Sequence, residues 1–264
     1  MSSKRIYAIF LRQFFLLKRS PSRIMQIFYW SLLELTLWGI ITKYLYAIGG
    51  EKFGFITVIL GTVIFWNFFT RVMNGITISF LEDIWSRNLI NLFASPLRVG
   101  EYIAGLLAVS IMQTFLAIGA MVLAAWFFFS YSIFQFGFLL IPFIFILFIS
   151  GWALGIFTTA VILRFGPSVE ILVWSIPTII MPFSAIFYPL EALPTFLRPI
   201  SYAIPISYVF EGMREVVHKG TFNALSLAIG FALSFFFFFA AIAVLFVMYR
   251  MALRKGLFTR FMTD

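Results

Sequence analysis

Long, nearly continuous runs of apolar residues recur along the chain and are separated by short polar segments. A membrane-crossing helix needs about 20 mostly apolar residues in succession, and several runs reach that length. The runs lack the apolar–polar alternation of membrane β-strands. The pattern therefore predicts an all-α, polytopic membrane protein with six transmembrane helices. We expect these spans at residues 24–46, 55–80, 101–129, 136–163, 169–188 and 222–249.

Residues 4–19 show a different pattern, with apolar side chains on one helical face and basic side chains on another. The arginines on the basic face recur every seven positions, at Arg5, Arg12 and Arg19. A basic amphipathic helix of this kind lies in the headgroup plane of a membrane. We therefore expect a cytoplasmic interfacial helix within residues 1–23, followed by one transmembrane domain over residues 24–264. An ordinary basic flank of the first span is the alternative.

Between the second and third predicted spans, residues 81–93 again show helical amphipathicity. The apolar side carries Leu81, Ile84, Trp85, Leu89, Leu92 and Phe93. The opposite side carries Glu82, Asp83, Ser86, Arg87 and Asn91. Such a helix either rests on the inner face of the membrane, with its polar side towards the cytosol, or packs its apolar side into a groove of a partner protein. We favour the partner, because two spans can be joined by far fewer residues. Ser95 and Pro96 are expected to end the helix, since a residue before proline disfavours helical backbone.

The segment over residues 189–220 is too polar and proline-rich to span a membrane, yet too apolar for a free loop. Short helices over residues 194–202 and 205–217 fit it, because each begins at a proline, a favoured first helical residue. Irregular backbone at membrane depth must be buried in protein or line a cavity. We therefore expect re-entrant outer helices that form a lid or exit site. The candidate residues there are Pro189, Glu191, Pro194, Pro205, Tyr208, Glu211 and Arg214.

Composition supports the membrane class. The chain is 62% hydrophobic and 11% charged, with a mean hydropathy of +1.04, whereas soluble domains have about 25% charged residues. The net charge of +9 does not indicate a nucleic-acid partner, because the basic residues concentrate before the first span and after the last. This positive-inside distribution predicts a multi-pass plasma-membrane protein with both termini in the cytoplasm. Cysteine is absent, which excludes disulfides and cysteine metal sites.

Two ionisable residues fall deep inside predicted spans, and such residues are functional candidates. Glu34 and Arg71 lie about 14–16 Å above the cytoplasmic ends of the first and second spans, at 1.5 Å per residue. Their equal depth predicts an interhelical ion pair that steadies or gates the transport pathway. A purely structural pair is the alternative.

Catalytic signatures are missing from the sequence. His218 is the one histidine, and neither a zinc-binding H-E-x-x-H nor a phosphate-binding G-x-x-x-x-G-K-[ST] motif occurs. We therefore expect a transport subunit rather than an enzyme, without catalytic, cofactor-binding or metal-binding residues. If the chain belongs to an active pump, ATP hydrolysis takes place on another polypeptide.

Three stretches resemble the permease subunits of ABC type-2 exporters, which include polysaccharide, glycolipid and drug-export permeases. They are NLINLFASPLRVGEYIAG (88–105), FYPLEALPTFLRPISYAIPISY (187–208) and VFEGMREVV (209–217). The first matches the family's apolar helix, Ser-Pro-Leu and glutamate before the third span. The second matches its proline-rich exit from the fifth span, and the third its acidic residue, small residue and arginine before the last span. None is a catalytic fingerprint, but their order along the chain is specific.

The resemblance implies a dimer of two permease chains, a homodimer in the simplest case, embedded in membrane lipid. It also implies two separate cytoplasmic ATP-binding subunits, which hold the ATP and magnesium. In the family, the ATPase contacts a coupling helix, here within residues 81–95, and also the N-terminal helix. The ATPase-coupling candidates are Leu81, Ile84, Trp85, Arg87, Leu89, Asn91, Phe93, Ser95 and Pro96. The scarcity of charge in the spans favours export of a hydrophobic, lipid-linked or amphipathic substrate from the cytoplasm or inner leaflet.

Two other function classes remain as alternatives. A secondary transporter working alone would couple to ions through Glu34, Arg71 and Glu170, and an internal duplication, which the sequence does not show, would favour it. An intramembrane transferase would need several carboxylates or histidines near one membrane face. The outer segment offers only Glu191, Glu211, Glu215 and His218 for that chemistry.

Overall fold

A computed structural model of the chain describes residues 2–49 and 55–254. This part of the chain is 87% helical and contains no β-strand, which confirms the all-α prediction. Its helices are α1 (Ser3–Arg19), α2 (Pro21–Gly49), α3 (Phe55–Trp85), α4 (Leu89–Ala94), α5 (Val99–Phe129), α6 (Leu140–Phe165), α7 (Leu172–Ile180), α8 (Arg198–Ala203), α9 (Pro205–Lys219) and α10 (Ala224–Arg254). Short 3-10 turns lie at Ile133–Leu139, Pro167–Val169, Met181–Phe183 and Leu190–Ala192.

Among the described residues, four helical segments are long and apolar enough to cross a membrane, which confirms the membrane class. They are Pro21–Leu45, Val99–Phe129, Ile133–Phe165 and Ala224–Arg254. α3 is as long as these but carries Asn67, Arg71 and Asn74 in its middle. The expected fifth span over residues 169–188 is not one continuous helix. α7 contains Pro177 and has 9 residues, about 14 Å of helix against a hydrocarbon core of about 30 Å.

α3 is the central helix of the bundle and packs against α2, α5 and α6. α10 lies along α6 and α9, and α1 lies against α5 and α2. One large cluster of buried apolar residues contains Phe65, Phe143 and Phe210. A second contains Phe80 and Tyr102 and lies where α3 ends and α5 begins. The chain turns sharply between α3 and α5, and we call this second region, at that turn, the elbow end of the bundle. The opposite region, which holds α8 and α9, is the loop end.

Glycines let α3 approach its neighbours at backbone distance. A Cβ atom added at Gly75 would lie 2.7 Å from the Cα atom of Ser110 in α5. A Cβ atom added at Gly151 of α6 would lie 2.8 Å from the Cβ atom of Val72. In lipid the hydrophobic effect does not drive helices together, so close van der Waals packing of this kind is a main source of their association.

Local sequence sets the ends of the helices at the loop end. α9 begins at Pro205, as expected, and ends where Gly220 adopts a left-handed backbone with φ of +65°. The Asn223 side chain caps α10 by accepting the N–H groups of Leu225 and Ser226, at 3.0 and 3.2 Å.

The helix expected to begin at Pro194 begins instead at Arg198. Pro194 lies in the preceding turn, where its carbonyl accepts the N–H of Leu197 at 2.9 Å. Pro199 takes a position in the first turn of α8. The prediction of a helix over residues 194–202 was therefore wrong in its start. Pro199 is a second proline that can occupy the first turn of a helix, and it lies nearer the buried Ser201.

Replacing Gly75 with alanine tests the close approach of α3 and α5. The added methyl group would lie 2.7 Å from backbone and side-chain atoms of Ser110, so the two helices must separate. We expect this overpacking to lower the free energy of unfolding by about 1–3 kcal/mol, measured by detergent-induced unfolding followed by circular dichroism. Gly119→Ala is the matched control on α5, since no atom lies within 4 Å of its added Cβ. Equal losses of stability in both variants would contradict the packing.

Candidate functional site

The chain turns sharply between α3 and α5, over residues 86–98, which we call the elbow. α3 ends at Trp85, and Arg87 follows with a left-handed backbone, φ +55°. A separate short helix, α4, then begins at Leu89. The prediction of one continuous amphipathic helix over residues 81–93 was therefore wrong.

Hydrogen bonds explain why the helix breaks at this point. The N–H of Asn88 donates to the carbonyl of Asp83 at 3.0 Å, and the N–H of Arg87 donates to that of Ile84 at 2.8 Å. This pair of bonds defines the Schellman motif, which satisfies the last carbonyls of a helix and needs a left-handed residue at its end. Glycine usually fills that position, and an L-residue with a side chain costs about 1–2 kcal/mol there.

The second half of the elbow follows the sequence-based expectation more closely. α4 ends at Ala94, and the next residue, Ser95, has an extended backbone because Pro96 follows it. The Ser95 hydroxyl donates to the carbonyl of Leu92 at 2.5 Å. At the start of α5, one half of a capping box forms, in which the Glu101 carboxylate accepts the N–H of Arg98 at 3.1 Å.

The apolar side of the elbow packs inside the chain. Leu81, Ile84 and Leu89 are buried at the elbow end. The ring of Phe93 contacts the rings of Tyr102 and Tyr249, with centroid distances of 5.7 and 5.6 Å. Among the residues from 85 to 98 whose burial is described, the exposed ones are Trp85, Ser86, Arg87, Asn91, Ala94, Ser95, Pro96 and Arg98. Most of the apolar side is therefore covered within the chain and not free to dock into a partner, whereas Trp85 on the same side stays exposed.

Three arginines of α1 and α2 bind three acidic residues on either side of the elbow, an arrangement we call the arginine clamp. The pairs are Arg5–Glu101 at 3.3 Å, Arg12–Asp83, and Arg23–Glu82 at 3.0 Å. The backbone N–H of Ser2 also donates to Glu101, at 2.7 Å. Asp83 and Glu101 are each only 1% exposed. Buried carboxylates need such partners, so the clamp fixes α1 to the bundle.

Asp83 is the most constrained member of the clamp. Both of its carboxylate oxygens accept hydrogen bonds from the Arg12 guanidinium, and the Tyr102 hydroxyl donates to Oδ2 at 2.7 Å. Burial lowers the pKa of Arg12, but the hydrogen bond to Asp83 raises it, and the net pKa lies above its ordinary value. The expectation that Asp83 faces the cytosol was wrong, because the last turn of α3 faces α1 and α5.

The other face of α1 remains open. Ile9 and Leu17 are buried against the bundle, with Ile9 lying over Gly105 of α5. Tyr7, Phe14 and Phe15 are exposed on the far side. An exposed aromatic face beside basic residues is suited to the headgroup region of a membrane.

Glu34 and Arg71 lie on facing helices, in a polar seam between α2 and α3. Glu34 accepts the side-chain N–H of Asn67 at 2.9 Å, whereas Arg71 donates to Ser31 at 3.0 Å and to the carbonyl of Gln26 at 3.2 Å. Within the described part of the chain, Glu34 and Arg71 form no direct ion pair, which corrects the expectation from their depth. The antiparallel register of the helices offsets the two side chains by about one turn.

Glu170 does not join Glu34 and Arg71 in one site. Its carboxylate accepts the indole N–H of Trp85 at 3.0 Å, at the elbow end. Arg71 lies about four helical turns, roughly 21 Å, away from Trp85 along α3. The three residues named for an ion-coupled transporter are therefore separated along the bundle.

At the loop end, Glu211 and Arg214 of α9 hold the chain that leaves α7. Glu211 accepts the N–H of Leu190 and the guanidinium of Arg214, both at 2.8 Å. Arg214 also donates to the carbonyls of Ala185 and Ile186. Burial raises the pKa of Glu211, and the charge of Arg214 opposes this rise. We call this group the loop lock.

The other candidates at the loop end have mainly backbone roles. Pro189 precedes a 3-10 turn, and the carbonyl of Glu191 accepts the guanidinium of Arg198 at 2.6 Å. The Tyr208 hydroxyl donates to the carbonyl of Tyr202 at 2.9 Å. In residues 2–49 and 55–254, no group of three or more histidine, aspartate or glutamate side chains is placed to bind a metal ion.

The family model described as ABC-2 type transporter matches residues 4–218, most of the chain. The chain belongs to the ABC-2 type transporter family. The matched region contains α1, the elbow and the loop lock. As a membrane domain of this family, the chain is a transport subunit and is not itself catalytic. ABC-2 permeases work with ATP-binding subunits. A comparison with curated proteins finds no match.

Sequence reasoning missed the arginine clamp. It placed the basic residues of α1 towards the membrane and the acidic residues of the elbow towards the cytosol. The signal was nevertheless present as matching charges, because arginines occur at 5, 12 and 23 and acidic residues at 82, 83 and 101. What the sequence lacks is the packing of α1 against α5, which brings the two sets together.

Removing the cation of the central clamp pair should destabilise the protein strongly. Arg12→Leu leaves the Asp83 carboxylate buried without its counter-charge, and we expect a loss of about 3–5 kcal/mol in the free energy of unfolding. The double variant Arg12→Leu/Asp83→Leu should recover much of this loss. Denaturant titration in detergent measures both, with Arg19→Leu, at an exposed position on the same helix, as the control. A double variant no more stable than Arg12→Leu would disprove the role of the pair.

The α2–α3 seam makes a prediction for double-mutant cycles. Glu34 and Asn67 share a hydrogen bond, so their alanine variants should show a coupling energy of about 0.6–1.7 kcal/mol. The coupling of Glu34 with Arg71 should be smaller, because no direct bond joins them. Unfolding of the four proteins of each cycle measures these energies. A larger coupling energy for Glu34 with Arg71 would show that these two side chains pair directly, against the structure.

Proposed function

We propose that this chain is the permease subunit of an ATP-driven exporter and that a partner ATPase acts on the elbow. The observation that carries the proposal is the elbow itself, a short exposed polar turn tied to four long helices. In this proposal ATP and magnesium are held by two separate cytoplasmic subunits, and a second copy of this chain completes the pathway. The proposal counts α3 and the interrupted fifth segment, residues 169–188, together with the four candidate spans. Residues 24–264 then form one six-span domain in the plasma membrane, with residues 1–23 on its cytoplasmic surface and both termini in the cytoplasm.

The contacts of α4 support its role as the point where force enters. Leu89 is buried at the elbow end, and the Phe93 ring joins Tyr102 of α5 to Tyr249 of α10. Asp83 and Glu101 attach α1 to the two sides of the elbow. Packed interiors shift between discrete arrangements rather than deforming continuously. A push on α4 is therefore passed to α1, α3, α5 and α10 together.

The charges at the elbow end favour an acidic partner surface. Each acidic residue described there already has a partner within the chain: Glu82, Asp83, Glu101 and Glu170. Arg87 and Arg98, at the two ends of α4, are exposed. Carboxylates on an ATPase would meet these arginines without competition from the permease, and such complementarity promotes fast and specific association.

The mechanism that follows is mechanical coupling between two sites. ATP binding draws the partner subunits together, and their motion pushes the elbow. The two permease chains then shift against each other and release a hydrophobic, lipid-linked or amphipathic substrate along their interface. Glu34 and Arg71 serve this motion by keeping α2 attached to α3.

Charge reversal at the elbow tests this proposal. We expect Arg87→Glu and Arg98→Glu each to reduce export and co-purification of the ATPase about tenfold, equivalent to ~1.4 kcal/mol of lost interaction. The measurements are the yield of a phosphate-loop ATPase with the tagged chain from native membranes and the ATP hydrolysis of that complex. Membrane insertion should be unchanged.

Two controls separate charge from structure. Arg87→Gly removes the charge but keeps the left-handed backbone, so its effect should be smaller than that of Arg87→Glu. Arg254→Glu reverses an exposed charge at the end of α10 and should behave like the unmodified protein. Normal export and normal ATPase recovery in both elbow variants would overturn the assignment.

A further inference from the structure

An apolar cavity of about 370 Å³ lies between α6, α10, the end of α7 and the turn that joins α8 to α9. Its walls come from one side of α6 between Ser150 and Phe157 and one side of α10 between Phe237 and Val244. The α8–α9 turn, including Pro205, forms another wall. Together with Phe69 of α3, five separate parts of the chain therefore line the cavity.

The cavity lies at the depth of the lipid tails. Its α10 wall begins about 20 Å and ends about 30 Å from Ala224, at 1.5 Å per residue, which is the middle of a helix with 31 residues. Its α6 wall is likewise in the middle of a candidate span. Hydrocarbon chains are the surrounding medium at that depth. Pro205 and Ile206 reach the same cavity, which supports a re-entrant path for α8 and α9.

The chemistry of the walls admits only an apolar occupant. Of the residues that line the cavity in the described part of the chain, Ser150 alone has a polar side chain. Its hydroxyl is 3.0 Å from that of Ser234, which donates in turn to the carbonyl of Gly230 at 2.7 Å. Ser150 thus has its partner outside the cavity. A space without polar groups does not retain water, so the walls offer dispersion contacts alone.

The cavity has an inner wall and an open rim. Phe69 and Ala241, at the inner wall, are 3% and 4% exposed. Phe157 and Phe237, at the rim, are each 40% exposed. Binding pockets for small ligands have volumes of about 300–1,000 Å³, and this cavity falls in that range. An elongated apolar group can therefore enter past the two phenylalanines and reach the inner wall.

We propose that this cavity binds one hydrocarbon chain of a lipid molecule. The bound chain touches the first turn of α9 on one side and the middle of α6 and α10 on the other. α9 also carries the loop lock, so the occupant contacts the same helix that positions the segment after α7. The bound hydrocarbon chain can belong to a resident phospholipid or to a lipid-type cargo. The second source rests on the proposed export function, whereas binding itself does not.

Photolabelling in nanodiscs tests the site without any ATPase. The probe is a phosphatidylcholine with a diazirine in one acyl chain, and labelled peptides are identified by mass spectrometry. We expect saturable labelling concentrated at residues 150–157, 203–206 and 237–244. Even labelling of all lipid-exposed helix surfaces, or labelling that never saturates, would overturn the proposal.

Cavity-filling variants sharpen the test. Ala240→Phe should reduce labelling about tenfold, because its ring occupies the space of the chain. Ala203→Phe fills the cavity from an exposed turn, which tolerates a large side chain, and should act alike. Ala243→Phe, an exposed position on α10 outside the cavity, is the matched control and should label normally. Retained labelling in both filling variants would show that no chain binds there.

A second experiment identifies which lipid supplies the bound hydrocarbon chain. The complex with its ATPase is labelled with and without ATP. If the bound hydrocarbon chain belongs to a cargo lipid, most of the labelling should disappear when ATP is added. If it belongs to a resident lipid, the labelling should persist. Both results require that a hydrocarbon chain binds in the cavity. Failure to recover any ATPase would count against the proposed function and leave the labelling of the isolated permease as an independent result.

Discussion

A polar side chain that is buried away from water, whether in a bilayer or inside the protein, must find its partner within the protein. Asp83 shows this constraint most sharply, since its carboxylate is 1% exposed and lies at the end of the central helix. Arg12 and Tyr102 satisfy it, and because they belong to α1 and α5, the need of one carboxylate brings three helices together. The elbow can only take its shape where these three helices meet.

The same constraint explains the remaining polar groups of the bundle. Glu34 binds Asn67, which attaches α2 to α3, and Ser150 binds Ser234, which attaches α6 to α10. α3 carries more polar residues in its middle than the four candidate spans, and it lies at the centre, where neighbours on several sides supply partners. Burial in protein, rather than contact with lipid, is what allows α3 to carry these polar residues in its middle.

These internal pairings also shape the surface that a partner meets. The clamp consumes the acidic groups of the elbow end and leaves Arg87 and Arg98 exposed. It also makes the elbow stiff, because α1, α3 and α5 are joined by charged contacts and α4 is joined to α10 through aromatic rings. At the loop end, Arg214 and Glu211 hold the segment after α7 beside a cavity suited to a lipid tail. An ABC-2 permease built this way has a rigid elbow at one end, where a partner can act on it, and an apolar cavity in its middle.

The sequence by itself determined the membrane class, the family resemblance, and most helix positions. α5, α10 and the start of α9 at Pro205 were predictable because apolar run length and proline sterics are local properties. Only the tertiary structure decided that Arg87 breaks the elbow helix, that Asp83 turns inward, that Glu34 binds Asn67 rather than Arg71, and that the fifth apolar run is a short helix. Helical periodicity reveals that a residue lies on a given face. What that face meets depends on the register and packing of other helices, and those are set by contacts between residues far apart in the chain.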